Sequence, residues 1–298
     1  MALLIITTIL WAFSFSLIGE YLAGSVDSYF SVLMRVGLAA LVFLPFLRTR
    51  GQSPRTIVLY MLVGAMQLGI MYLLAFRAYI YLTVSEFLLF TVFTPLYITL
   101  IYDLLSGRKL RWGYLLSAAL AVLGAAIIRY DKVSDHFWTG LLLVQLSNLC
   151  FAIGMVGYKR LMEVRPMPQH NAFAWFYVGA FIVAVAAWFM LGNAQKLPTT
   201  TLQWSVLVWL GVVASGLGYF MWNYGATQVD AGTLGIMNNV HVPAGLLVNL
   251  AIWQEQPHWP SFISGALVIL ASLWVHRRWV APHSGQTADD RRRGSAQS

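Results

Sequence analysis

Long apolar runs separated by short polar breaks make up almost the whole chain. About 20 mostly apolar residues suffice for a helix to cross a hydrocarbon layer, at about 1.5 Å per residue. Ten runs meet that length, at 2–22, 28–47, 56–76, 80–102, 112–129, 137–158, 171–192, 202–222, 231–253 and 261–280. The breaks carry the charges and turn-formers: RTRGQSPR after the second run, SGRKLR after the fourth, EVRPMPQ after the sixth and QEQPHWP after the ninth. The last stretch, HSGQTADDRRRGSAQS, is too polar to bury anything and reads as a disordered tail. The opening MALLIITTILWAFSFSLIG lacks a basic leader and a small-residue cleavage site, so it reads as a first spanning helix that stays. The expectation is an all-α integral membrane protein with ten transmembrane helices.

Composition agrees. Of 298 residues, 59% are hydrophobic and 10% charged, far from the mix of a soluble domain of this length. Basic loops are retained in the cytoplasm. With the N-terminus inside, every Lys and Arg falls on the cytoplasmic side except Arg35 within the membrane and Arg77, Arg129, Lys132 and Lys196 outside. The net charge of +8 is therefore topological, spread over short loops, and no nucleic-acid partner is expected. Both termini are expected in the cytoplasm. Cys150 is the single cysteine and lies in an apolar run, which leaves no disulfide or cysteine-based metal site within one chain.

Ten spans divide into five plus five, and an odd number per half turns the second half upside down relative to the first. The expected units are residues 1–130, 137–280 and a cytoplasmic tail at 281–298. An offset of 148 residues pairs Ala78 with Ala226, Val92 with Val240, Pro95 with Pro243 and Ala118 with Ala266. The two prolines fall near the middle of corresponding spans, where each removes a backbone hydrogen bond and kinks its helix. Paired interruptions of this kind point to a substrate site between the repeats, and equally to kinks that only shape the bundle.

ILWAFSFSLIGEYL in the first span, Arg35 in the second, TPLYITL in the fourth and HVPAGLLVNLAIWQEQPHWPSFISGALVILASLWV across the last two carry a resemblance to a known family. The chain resembles the EamA-type drug/metabolite transporter superfamily over almost its whole length. Pro243, Glu255 and Gly265 follow the family's spacing in the second half. In the first half SGRKLR stands where the family often repeats the glutamate, so a role for Glu255 is not mirrored. MVGYKRLMEVRPMPQHNAFAWF, GYFMWNYGATQVDAGTLGIMNN and QTADDRRR narrow the resemblance to biotin-carrying members of the carboxylate/amino acid/amine branch. It implies a secondary transporter importing biotin across the bacterial inner membrane. The competing expectation is an exporter of amino acids or other small metabolites with the same fold. No cofactor and no obligate protein partner are expected, only substrate and bilayer, with the chain a monomer or homodimer.

Biotin offers a carboxylate, a ureido ring and an apolar bicycle, so its pocket needs a cation, amide-type groups and aromatic walls. Arg35 lies about 10 Å into its span, too deep to sit unpaired in lipid. It serves either as a carboxylate clamp or as a scaffold paired with Glu20, Glu86 or helix ends. Asn238 and His241 share a helical face and could meet the ureido group. Gln145 and Asn148 form a second such pair, suited to a ligand or to helix packing. Trp11, Tyr72, Trp175 and Trp222 are candidate walls. Glu86, about one turn into the fourth span, or His241 could carry a co-transported proton; an interfacial glutamate that never changes protonation is the alternative. No HExxH, GxSxG, Walker A or paired-cysteine motif occurs, so neither an enzyme nor an ATP-driven pump is expected. The expected mechanism is alternating access driven by the proton gradient, with the helices softened at Pro95 and Pro243 opening the site to one side at a time.

Overall fold

The computed structural model describes residues 2–105, 135–229 and 244–254, together with isolated positions between and beyond them. Seven helices among these are long and apolar enough to cross a membrane: α1 (Ala2–Tyr21), α2 (Ser28–Phe46), α3 (Pro54–Ala78), α4 (Val84–Tyr102), α5 (His136–Val164), α6 (Gln169–Leu191) and α7 (Thr201–Thr227). A shorter apolar helix, α8, covers Ala244–Trp253. The chain is thus an all-α integral membrane protein. Most of the expected spans at 112–129 and 261–280 and much of that at 231–253 lie outside the described residues, as do His241, Pro243, Glu255 and Gly265.

Helix is the spanning structure because it satisfies its own backbone groups where no water can. The ends are fixed by side chains. Asp27 accepts the Phe30 amide at the start of α2 (2.8 Å), and Ser53 accepts that of Thr56 ahead of Pro54 in α3 (3.2 Å). Two capping boxes begin α4 and α7, Thr83 with Glu86 and Thr200 with Gln203. Turns at Gly24 and Gly51 use φ of 73° and 80°, which glycine adopts without penalty.

Three of the seven spanning helices are interrupted within their length, and α8 is π-helical over Asn249–Trp253. α4 breaks at Val92–Phe93 and resumes at Thr94, so Pro95 stands in the first turn of the resumed segment, where its missing N–H costs little. The Phe90 carbonyl at this break accepts Asn148 Nδ2 (2.9 Å) and Gln145 Nε2 (3.3 Å). Tyr97, beyond the break, donates to Gln145 Oε1 (3.0 Å), so α5 grips both segments. α3 and α7 each contain a π-helical stretch, Ala65–Ile70 and Leu210–Leu217. Packing joins α1 to α7, α3 to α5, α2 to α7, α3 to α6, and α2 to α6. α3 and α6 meet backbone to backbone: a Cβ on Gly64 would overlap the Phe176 carbonyl, and one on Gly179 would overlap that of Met61. Small residues permit such approach where lipid leaves packing as the main driving force.

Candidate functional site

The bundle holds a cavity toward the end where α1 and α3 finish and α4 begins. It offers about 80 Å³ that the centre of a water molecule can reach, within about 650 Å³ of atom-free space that includes its mouth. The lining is rich in aromatic side chains, with Trp11 and Phe15 from α1, Phe76 from α3, Phe87 from α4, Phe151 from α5 and Tyr219 from α7. Trp11 is fixed by its indole N–H, which donates to the Ala214 carbonyl (3.0 Å), and by rings of Tyr219 and Trp222 at 4.6 and 5.1 Å.

Arg35 enters this space from α2, on the face shared with buried Val32, Val36 and Ala39. It is 3% exposed. Its Nε donates to Ser215 Oγ (2.5 Å), and its Cζ lies 4.2 Å from the Tyr72 ring centroid, within cation–π range. No carboxylate pairs with Arg35 among the described residues, so the scaffold arrangement with Glu20 or Glu86 is not found. A buried guanidinium with no counter-ion among the described residues makes the cavity electropositive and suits it to an anionic group.

Two further polar groups await a partner. Tyr79 and Asn238 are lining residues, and Tyr79 Oη and Asn238 Nδ2 are buried with no hydrogen-bond partner among the described residues. Leaving a buried polar group unsatisfied costs about 1–3 kcal/mol, which a ligand offering acceptors would recover. Deeper in the bundle, Gln67 of α3 and Asn223 of α7, both fully buried, exchange two hydrogen bonds of 3.0 Å.

The structure brings Trp11, Arg35, Tyr72, Asn148 and Asn238 to one cavity. Asn148 contributes with its amide nitrogen already engaged at Phe90. Trp222 stands behind Trp11 and donates to Met155 Sδ (3.4 Å). Trp175 lies away from the cavity, its indole N–H on the Arg48 carbonyl (3.2 Å). Glu86 caps α4, accepting the Thr83 amide (2.9 Å), and does not line the cavity. Sequence reasoning missed Ser215 and Tyr79. Only the tyrosine gave a usable signal, a phenol at the edge of a span.

An apolar helical bundle around a polar-tipped, aromatic cavity is the build of a membrane carrier for small molecules, and the comparisons with known proteins agree. Residues 1–130 and 138–277 match the EamA-like transporter family, to which the chain belongs. It is a transporter, not an enzyme. It is 83% identical, over all 298 residues of both chains, to a protein of Escherichia coli (strain K12) named "Biotin transporter". A Pseudomonas aeruginosa protein named "Probable biotin transporter" is 55% identical over 279 residues, 93% of this chain and 97% of its own. A crystal structure only 17% identical shares the fold, with a TM-score of 0.64 over 92% of this chain and 95% of its own.

Proposed function

We propose that this protein imports biotin across the bacterial inner membrane, driven by the proton gradient. The observation that carries the reading is the cavity itself: one guanidinium and two buried polar tips, none with an ion-pair or amide partner among the described residues for its free donors, set among aromatic walls. Arg35 takes the carboxylate. The ureido carbonyl accepts from Asn238 and Tyr79, while Trp11, Phe76 and Tyr219 cover the bicycle and the aliphatic chain. The names of the relatives from Escherichia coli and Pseudomonas aeruginosa support the same substrate.

The carrier has ten helices in two inverted repeats, residues 1–130 and 137–280, with a cytoplasmic tail at 281–298. Packing supports the repeat. If α1, α2 and α3 correspond to α5, α6 and α7, then contacts of α1 with α7 and of α2 with α7 require contacts of α5 with α3 and of α6 with α3, and all four occur. Two of the three π-helical stretches among the described residues also fall on a corresponding pair, α3 and α7; the third, Asn249–Trp253, lies in α8. With the N-terminus in the cytoplasm, the cavity lies toward the outside and the Gln67–Asn223 pair beneath it. Alternating access opens that lower side, with α4 hinging at its break above Pro95 and the ninth helix at Pro243. Glu86 or His241 carries the proton.

The test is uptake of labelled biotin at nanomolar concentration by cells lacking their own transport, with and without this chain. Accumulation that collapses with an uncoupler is expected. Absence of uptake from well-expressed, membrane-inserted protein refutes the substrate, and labelled-metabolite efflux then becomes the measurement.

A further inference from the structure

Ser215 is fully buried in the π-helical stretch of α7. Such stretches insert a residue into the helical repeat, rotate the facing of the residues beyond it, and concentrate at functional sites. The 148-residue offset that pairs Pro95 with Pro243 also pairs Ser215 with Gln67, which stands in the π-helical stretch of α3. Each bonds across to the other half: Gln67 to Asn223, and Ser215 to Arg35 and Tyr72.

The Ser215 hydroxyl accepts from Arg35 Nε and lies 2.9 Å from Tyr72 Oη. Its carbonyl accepts the Tyr177 hydroxyl (2.6 Å), which holds the turn in place. A guanidinium has five N–H donors in a rigid fork. Ser215 takes the one on Nε, and no other hydrogen bond or ion pair engages Arg35 among the described residues. Carboxylates meet arginine two donors at a time, either through Nε with one Nη or through both Nη. With Nε occupied, only the second approach is open.

We propose that Ser215 is the positioning residue of the anion subsite: its hydroxyl occupies the Nε side of Arg35 and turns the Nη1–Nη2 edge toward the ligand. This rests on the reading of Arg35 as the carboxylate clamp. Ser215 itself touches the guanidinium and not the substrate. Its loss therefore affects acids and spares their amides, which a role in helix packing alone would not do.

The experiment measures binding of biotin and of biotin amide to the purified full-length protein by isothermal calorimetry. The wild type binds the acid more tightly. Ser215→Ala weakens the acid about tenfold or more, as expected for a hydrogen bond to a charged group, and leaves the amide unchanged. Ser215→Thr, which keeps the hydroxyl, restores the preference. Equal losses for acid and amide, or none for either, overturn the proposal. If Ser215→Ala does not accumulate, Ser215→Cys, of similar volume and a poor acceptor, gives the same discrimination. If the wild type binds neither compound, the biotin reading fails separately, and octanoate against octanamide replaces the pair. Loss of the acid preference in Ser215→Ala then supports the positioning role, and a retained preference, or none in the wild type, overturns it.

Discussion

The Gln67–Asn223 pair gives a quantitative test of the bundle interior. Each side chain is fully buried and their amides exchange two bonds of 3.0 Å, one in each direction. Removing one partner strands an amide that has no water to turn to. Interhelical hydrogen bonds in membranes average about 0.6 kcal/mol in double-mutant cycles and reach about 1.7, so two amount to about 1–3 kcal/mol. The choice of substitution comes from the packing. Gly154 of α5 sits so close to the Gln67 Cβ and Cγ that branching there would clash, which makes methionine the right replacement. Gln67→Met and Asn223→Leu are each expected to destabilise the protein, and the double variant to be more stable than the sum of the two losses predicts, by about 1–3 kcal/mol. Equilibrium unfolding of the purified protein in mixed micelles measures all four corners of the cycle. Additive losses would refute the reasoning, since they would mean that the pair contributes only through shape.

Three other outcomes are expected. Gly64→Ala pushes a methyl into the Phe176 carbonyl, which cannot swing aside, and should cost at least the upper end of the usual overpacking range, about 3 kcal/mol, read as lost accumulation or a lowered melting temperature. Glu86→Gln keeps the oxygen that caps Thr83 and removes the charge; if Glu86 carries the proton, biotin accumulation is lost while biotin exchange persists, and an unimpaired gradient refutes the assignment. Arg35→Lys exchanges the fork for a point charge and should weaken biotin more than its amide in competition assays, whereas equal losses would return Arg35 to a packing role.

The parts legible in the sequence were those where polarity contrasts with its surroundings. Arg35, Asn148 and Asn238 stand out in apolar runs, and each lines the cavity. Ser215 does not, because a serine among small residues in LGVVASGL carries little contrast, and no proline marks the π-helical turn that aims it. Aromatic identity misled for the opposite reason: tryptophan suits a wall, a core and a membrane edge alike, so Trp11, Trp222 and Trp175 take one each. Glu86 was open to a better local reading, since Thr83-Val-Ser-Glu86 has the spacing of a capping box ahead of an apolar run. The proline at 95 signalled a break correctly in kind, but the interruption falls before it, at Val92–Phe93, leaving Pro95 free of the bond it would have cost.

The glycine contact between α3 and α6 bears on how this molecule can move. Side chains that touch can change rotamer and slide, whereas main chains pressed together at Gly64 and Gly179 must separate before either helix shifts along the other. Separation would forfeit close packing at both points, so α3 and α6 travel as a single rod. In the proposed inverted repeat, that rod ties one helix of each half together and acts as an axle. In the proposed alternating-access cycle the working strokes then fall to the elements that meet through replaceable side-chain contacts, α4 where α5 holds its break and α1 where it leans on α7.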